Sequence, residues 1–240
     1  PECIAIDELR GNAGGEKFQC NIADPVKHQV IDILPSRNTE NLCKHFLEYP
    51  YKERAAVKKI IMDLSTLFSS VAKSMFPEVK IVADKFHVIR AVINSLENVR
   101  KRIQKEFHAT KRKWFKRSRY LLLKPEYKLT SEDKTELARM LNSSYDLEKA
   151  YVLKERFYEV FRKQTRTEAK KELGKWLLLA ADLSLPEFRH CITTFSNWKT
   201  EIANIIGERV SNGFIEGSNN KIKVLKRISY GVQNFDRFRN

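Results

Sequence analysis

Val57-Lys58-Lys59-Ile60-Ile61-Met62-Asp63 and Val79-Lys80-Ile81-Val82-Ala83-Asp84 are two short apolar runs that each stop on an aspartate. Between them Ser65 caps a stretch with helical spacing to about Met75. After the second run a further helix begins at Asp84, with Phe86, Val88, Ile89, Val92, Ile93 and Leu96 at helical intervals. Two strand–helix units in series predict parallel strands joined by crossovers. Upstream, Cys3 to Leu9, Lys17 to Ala23 and Gln29 to Leu34 read as three strands. They are separated by the turn Gly11-Asn12-Ala13-Gly14-Gly15 and by Asp24-Pro25, an antiparallel start to the same sheet. Asn38 or Thr39 caps a helix through about Glu48, with Leu42, Phe46 and Leu47 on one face. The fold class expected is α/β, a mixed sheet flanked by helices.

The middle of the chain reads differently. From about Glu97 to Gly207 there are few strand signals and almost no glycine, but long charged helical patterns with breaks near Pro125, Thr130-Ser131 and Ser184-Leu185-Pro186-Glu187. The organisation predicted is a core in residues 1–96, an all-helical basic insertion in 97–207, and a return to the core in 208–240. That last segment opens on the cap-like Ser211-Asn212-Gly213. The strand Cys3-Ile4-Ala5-Ile6 has almost nothing before it, which predicts a piece of a longer protein.

Lys and Arg number 45 against 30 Asp and Glu, a formal charge of +15 over 240 residues. An excess of this size favours polyanionic partners, because each phosphate neutralised releases condensed counterions. Residues 99–128 hold twelve Lys or Arg against two acids, Glu106 and Glu126, a net +10 that accounts for most of it. Lys111, Arg112, Lys113, Lys116, Arg117 and Arg119 form its centre, interleaved with Trp114, Phe115 and Tyr120. This texture suits a surface that tracks a nucleic-acid backbone, although Trp114 fits the insertion's own core better, and Trp176 beside Leu177-Leu178-Leu179 more surely so. The four cysteines have no metal-ligand spacing and read as reduced thiols. No stretch has the roughly 18–20 apolar residues needed to span a bilayer, so no membrane partner is expected.

Asp7 and Asp63 each close a predicted strand, and sites in open α/β sheets gather beyond the strand ends. Neighbouring strands lie about 4.8 Å apart, so such carboxylates can share divalent ions, which take hard oxygen ligands. Glu216 on a packed helix can supply a third. Taken singly, an Asp after a strand is ordinarily a turn residue or a helix cap.

Longer motifs join these positions. Ile4-Ala5-Ile6-Asp7-Glu8, Met62-Asp63-Leu64-Ser65, Ile81-Val82-Ala83-Asp84-Lys85-Phe86-His87-Val88-Ile89-Arg90, Ser211 to Lys223 around Glu216, and Tyr230-Gly231 through Arg239 together resemble the catalytic domain of the ISL-three family of insertion-sequence transposases, within the DDE superfamily. The resemblance implies a ribonuclease-H-like fold. It also implies a metal-binding catalytic triad of Asp7, Asp63 and Glu216, holding two Mg²⁺ (or Mn²⁺) ions per active site. Ser218 stands where a larger or apolar residue is expected, and the family's N-terminal zinc-binding and helix-turn-helix segments are absent.

Asp84 and His87, spaced i to i+3, share a helical face. They read either as a helix cap with a satisfied histidine or as a pair that orients a ligand, which adds His87 to the catalytic candidates. Asp84 is also the rival to Asp63 for the second metal position. Asn219 and Asn220 lie i+3 and i+4 from Glu216 and can bond its neighbours or DNA; Lys221 and Lys223 beside them suit an emerging phosphodiester backbone. The function expected is metal-dependent DNA strand cleavage and strand transfer, by a bacterial, cytoplasmic, nucleoid-associated homodimer acting on element ends and target DNA. A structure-specific nuclease of the same fold (a resolvase) and a domesticated DNA-binding protein are the alternatives.

Overall fold

The computed structural model describes residues 1–10, 16–208, 210, 212–229 and 234–239. The Gly11–Gly15 turn, Ser211 and residues 230–233 of the tail therefore lie outside the described residues.

The chain forms β1 (Cys3–Arg10), β2 (Phe18–Asp24), β3 (Gln29–Leu34), α1 (Thr39–Leu47), α2 (Tyr51–Ala56), β4 (Lys59–Met62), α3 (Thr66–Met75) and β5 (Lys80–Ala83). All-helical structure follows: α4 (Lys85–Gln104), α5 (Ala109–Arg117), α6 (Arg119–Leu123), α7 (Ser131–Leu141), α8 (Tyr145–Tyr158), α9 (Arg166–Leu183), α10 (Arg189–Asn197) and α11 (Lys199–Ala203). Then come α12 (Gly213–Ile228) and α13 (Phe235–Arg239). The five strands make one sheet in the order β3-β2-β1-β4-β5. The first three are antiparallel, while β4 and β5 add in parallel to β1. This is the mixed sheet flanked by helices that the sequence predicts.

Local chemistry explains the element ends. Asn38 accepts from the Asn41 amide at 2.8 Å and Ser65 from that of Phe68 at 3.4 Å, each capping its helix. Asp24 accepts from the Val26 and Lys27 amides, turning the chain between β2 and β3. Strand β1 is buried at almost every position, as a strand covered on both faces must be. On one face Ile4 and Ile22 line the same cleft as Phe46 of α1 and Phe76 after α3. Helix α12 packs on β1 and β2.

The molecule divides into two compact units, one of residues 1–86 with 207–240, the other of residues 87–206. The division falls in the first turn of α4, so the sequence-based boundary at 96 lies inside one continuous helix. The second unit has its own core, in which Phe157 stacks on Phe195 and both meet Trp176. Trp198 is buried as well. A fully buried ion pair, Arg100 with Glu97, ties α4 internally at 2.7 Å. Cys3, Cys20, Cys43 and Cys191 are free thiols. Burial pushes the Cys3 thiol up to about 11, which keeps it protonated and unreactive.

Candidate active site

Strand register sets the site. Ile6 pairs with Met62 across β1 and β4, and Met62 with Ala83 across β4 and β5. The next residue along the chain in each case is an aspartate: Asp7, Asp63 and Asp84. Three carboxylates thus stand in a row across three adjacent parallel strands. Asp63 and Asp84 lie just beyond the ends of β4 and β5, where such sheets build sites. Asp7, expected to close its strand, instead lies inside β1, which continues to Arg10 because it goes on pairing with β2. The Asp84 amide donates to the Met62 carbonyl at 2.8 Å, carrying the ladder one step past β5.

Asp7 is 7% exposed, and both its oxygens accept hydrogen bonds. One takes the Glu8 amide at 2.8 Å, the other the Asn219 side chain at 2.7 Å. Asn219 in turn accepts from Asn21 at 2.7 Å. Asn21 faces Asp7 across the β1–β2 ladder, so a relay Asn21–Asn219–Asp7 fastens α12 to the sheet. His28, in the β2–β3 turn, stacks on Phe214 at 5.3 Å and secures the start of the same helix. Glu216 is half-buried in the first turn of α12, one turn before Asn219 on the same face. A carboxylate there meets the positive end of the helix dipole. Asn212 occupies the N-cap position but makes no capping hydrogen bond with its side chain.

Asp63, Asp84 and His87 make the tightest group. One ligand atom from each lies within 4.8 Å of the others. Asp84 and His87 straddle the first turn of α4, so their spacing follows from local helix geometry. Asp84 is 3% exposed and accepts from the Phe86 amide at 2.9 Å, a capping contact. Asp7 and Glu216 stand outside this group. Asp63 is grouped with Asp84 and His87, and Asp7 is bonded to the helix that carries Glu216. Two carboxylates and an imidazole at this spacing can hold a divalent cation, and oxygen donors suit Mg²⁺ or Mn²⁺.

Asn21 was not among the sequence candidates. Its signal was a polar side chain inside the buried run Cys20-Asn21-Ile22-Ala23. Asn220, Lys221 and Lys223 of α12 are exposed. In the second unit, Phe115 is buried and half-buried Trp114 donates its indole N–H to Glu136, so neither ring is presented for stacking. Of the six central cations, Lys113, Lys116 and Arg117 are exposed with no acidic partner among the described residues. Lys111 lies over the Phe107 ring at 4.0 Å. Arg112 is spent on the carbonyls of Gln104 and Lys105, where α4 ends, and Arg119 pairs with Glu97 at 2.8 Å.

Residues 4–240 match the DDE family model of the ISL-three type, described as a transposase. The chain belongs to this transposase family. For this family member the mixed sheet is the ribonuclease-H-like core expected from its motifs. It is 25% identical over 241 residues to the "Transposase for insertion sequence element IS1001" of Bordetella parapertussis, covering 99% of this chain and 59% of that one. It is 27% identical over 253 residues to the "Transposase for insertion sequence element IS1557" of Mycobacterium tuberculosis, covering 96% and 56%. A short match to a Lactococcus lactis protein named "ATP-dependent protease" is 34% identical over 90 residues, 37% of this chain and 24% of that protein. The family member spans a little over half the length of its two transposase relatives. Among its described residues no helix is long and apolar enough to cross a membrane.

Proposed function

We propose that this chain is the catalytic part of an insertion-sequence transposase that cuts DNA at element ends and transfers the strands into target DNA. The observation that carries the reading is the row Asp7–Asp63–Asp84 across three adjacent parallel strands, with the Glu216 helix bonded to its first member. Asp7, Asp63 and Glu216 are the residues assigned to hold the metal ions. Asp84 and His87 support Asp63, and Asp84 is the alternative ligand beside it. Bound in pairs, such ions supply Lewis acidity at phosphorus and lower the pKa of an attacking water.

The chain's own contribution is positional. Parallel register fixes the spacing of the three aspartates, and the Asn21–Asn219 relay fixes Glu216's helix against them. The reaction is an in-line displacement: the attacking oxygen bonds to phosphorus as the opposite P–O bond breaks. It needs no covalent protein intermediate. Lys113, Lys116, Arg117, Lys221 and Lys223 are assigned to the DNA backbone. Joining two element ends calls for two copies of the chain, so a homodimer belongs to the proposal, as does action on DNA in the bacterial cytoplasm.

The test is cleavage and strand transfer on element-end DNA with Mg²⁺ or Mn²⁺. Asp7→Asn, Asp63→Asn and Glu216→Gln are each expected to lose activity by about a hundredfold or more while still binding DNA. Nicking without strand transfer would point to a resolvase-like nuclease instead. An active Asp63→Asn beside a dead Asp84→Asn would move the second ligand to Asp84.

A further inference from the structure

The helical unit holds a surface cavity of about 650 Å³, bordered by the 3-10 turn Glu126–Lys128 and by α8. Tyr127 on that turn is 66% exposed. Arg162 and Lys128 stand 5.6 and 5.7 Å from its ring, near the outer limit for a cation–π contact of about 6 Å, so neither cation is seated firmly on it. Tyr151 lines the inner wall at 6% exposure, with its hydroxyl buried. Burial first, then the charges of Glu155 and Glu126 and a hydrogen bond to the Glu155 carboxylate, hold that phenol protonated.

The charges on the wall separate the possible guests. Glu155 is engaged by the Lys154 ammonium at 2.6 Å and by the Glu126 amide at 3.1 Å, and Glu159 pairs with Arg162. Lys134 and Arg156, also on the wall, have no acidic partner among the described residues. Glu126 keeps an unpaired, exposed carboxylate, which a bare phosphate would avoid but which can accept from a base's exocyclic amine. An exposed aromatic ring, two cations and one acceptor together match a nucleotide better than a simple anion. The wall is rigid where it matters. Buried Lys154 donates to the Leu122 and Lys124 carbonyls at 2.9 and 2.6 Å, fixing the segment that leads into the Tyr127 turn.

We infer that this cavity takes one unpaired nucleotide of a DNA strand. Tyr127 stacks on the base, Lys134 and Arg156 meet the flanking phosphates, and the exposed Glu126 carboxylate accepts from the base edge. The inference rests on the reading of the chain as a DNA enzyme and adds that part of its substrate is single-stranded.

Fluorescence anisotropy at one fixed salt concentration tests it, with labelled blunt duplex compared with the same duplex carrying a single-stranded tail. The protein is expected to prefer the tailed DNA. Tyr127→Ala should remove that preference, a loss of about tenfold, and leave blunt-duplex affinity unchanged. Tyr127→Phe, which keeps the ring, should retain it. So should Tyr145→Ala, an equally exposed tyrosine that does not line the cavity. The cavity assignment is overturned if the protein binds duplex with no tail preference, if Tyr127→Ala keeps the preference, or if Tyr145→Ala loses it equally. Failure to bind either DNA overturns the DNA reading itself.

Discussion

Replacing Asn219 by Ala cuts both links of the buried relay between β2, α12 and β1. The bond from Asn21 is neutral and contributes about 1 kcal/mol, while the bond to the Asp7 carboxylate is charge-assisted and contributes about 1.5–3 kcal/mol. Alanine returns about 0.5 kcal/mol through its better helix propensity, so the net loss expected is about 2–3.5 kcal/mol. Asn21→Ala breaks the first bond and a long one, 3.5 Å, that Asn21 donates to the Ser218 hydroxyl. It is expected to cost about 1–2 kcal/mol, because Asn219 keeps its grip on Asp7 but loses a donor. Urea denaturation of both single variants and the double variant measures the coupling, and the double should cost clearly less than the sum of the singles. Cleavage should fall with Asn219→Ala even at temperatures where the variant stays folded, since the helix bearing Glu216 is no longer fastened to Asp7. Additive losses, or a cost below about 1 kcal/mol for Asn219→Ala, would refute the relay as the fastening of α12.

Two further outcomes follow from charges elsewhere. Glu208 lies between Lys59 (2.8 Å) and Lys80, at the opposite end of β4 and β5 from the aspartate row. Burial pushes its carboxyl up, but the hydrogen bonds and charges of the two lysines outweigh burial and hold it below the usual range. A depressed carboxylate contributes stability above its unfolded pKa and loses it as pH falls through the lower folded value. The stability gap between the protein and Glu208→Gln, about 1 kcal/mol at neutral pH, should therefore close on acidification below about pH 4.5; a gap that does not depend on pH would exclude the ion-pair account. Separately, Lys113, Lys116 and Arg117 changed together to Gln should flatten the salt dependence of DNA binding by about 0.9 in log–log slope for each phosphate that is no longer neutralised. An unchanged slope removes α5 from the DNA surface.

Much of the molecule was written locally in its sequence. The runs that carry Asp7 or stop at Asp63 and Asp84, the caps Asn38 and Ser65, and the turn at Asp24-Pro25 all depend on neighbours within a few residues, which is why strands, helices and the mixed character of the sheet could be read in advance. The long motifs around Asp7, Asp63 and Glu216 likewise marked the family. Tertiary structure decided the rest, because register and helix docking are set by contacts between residues far apart in the chain. Only the pairing of Ile6 with Met62 and of Met62 with Ala83 puts three aspartates in one row and brings Asp63 to Asp84 and His87. Only packing of α12 joins Asn219 to Asn21, 198 residues away. The same holds for the basic helix: its composition announced charge, but folding consumed Arg112 at a helix end and Arg119 in an ion pair, turned Phe115 inward, and left Tyr127 as an exposed ring. Composition counts side chains; the partners each one finds depend on the fold.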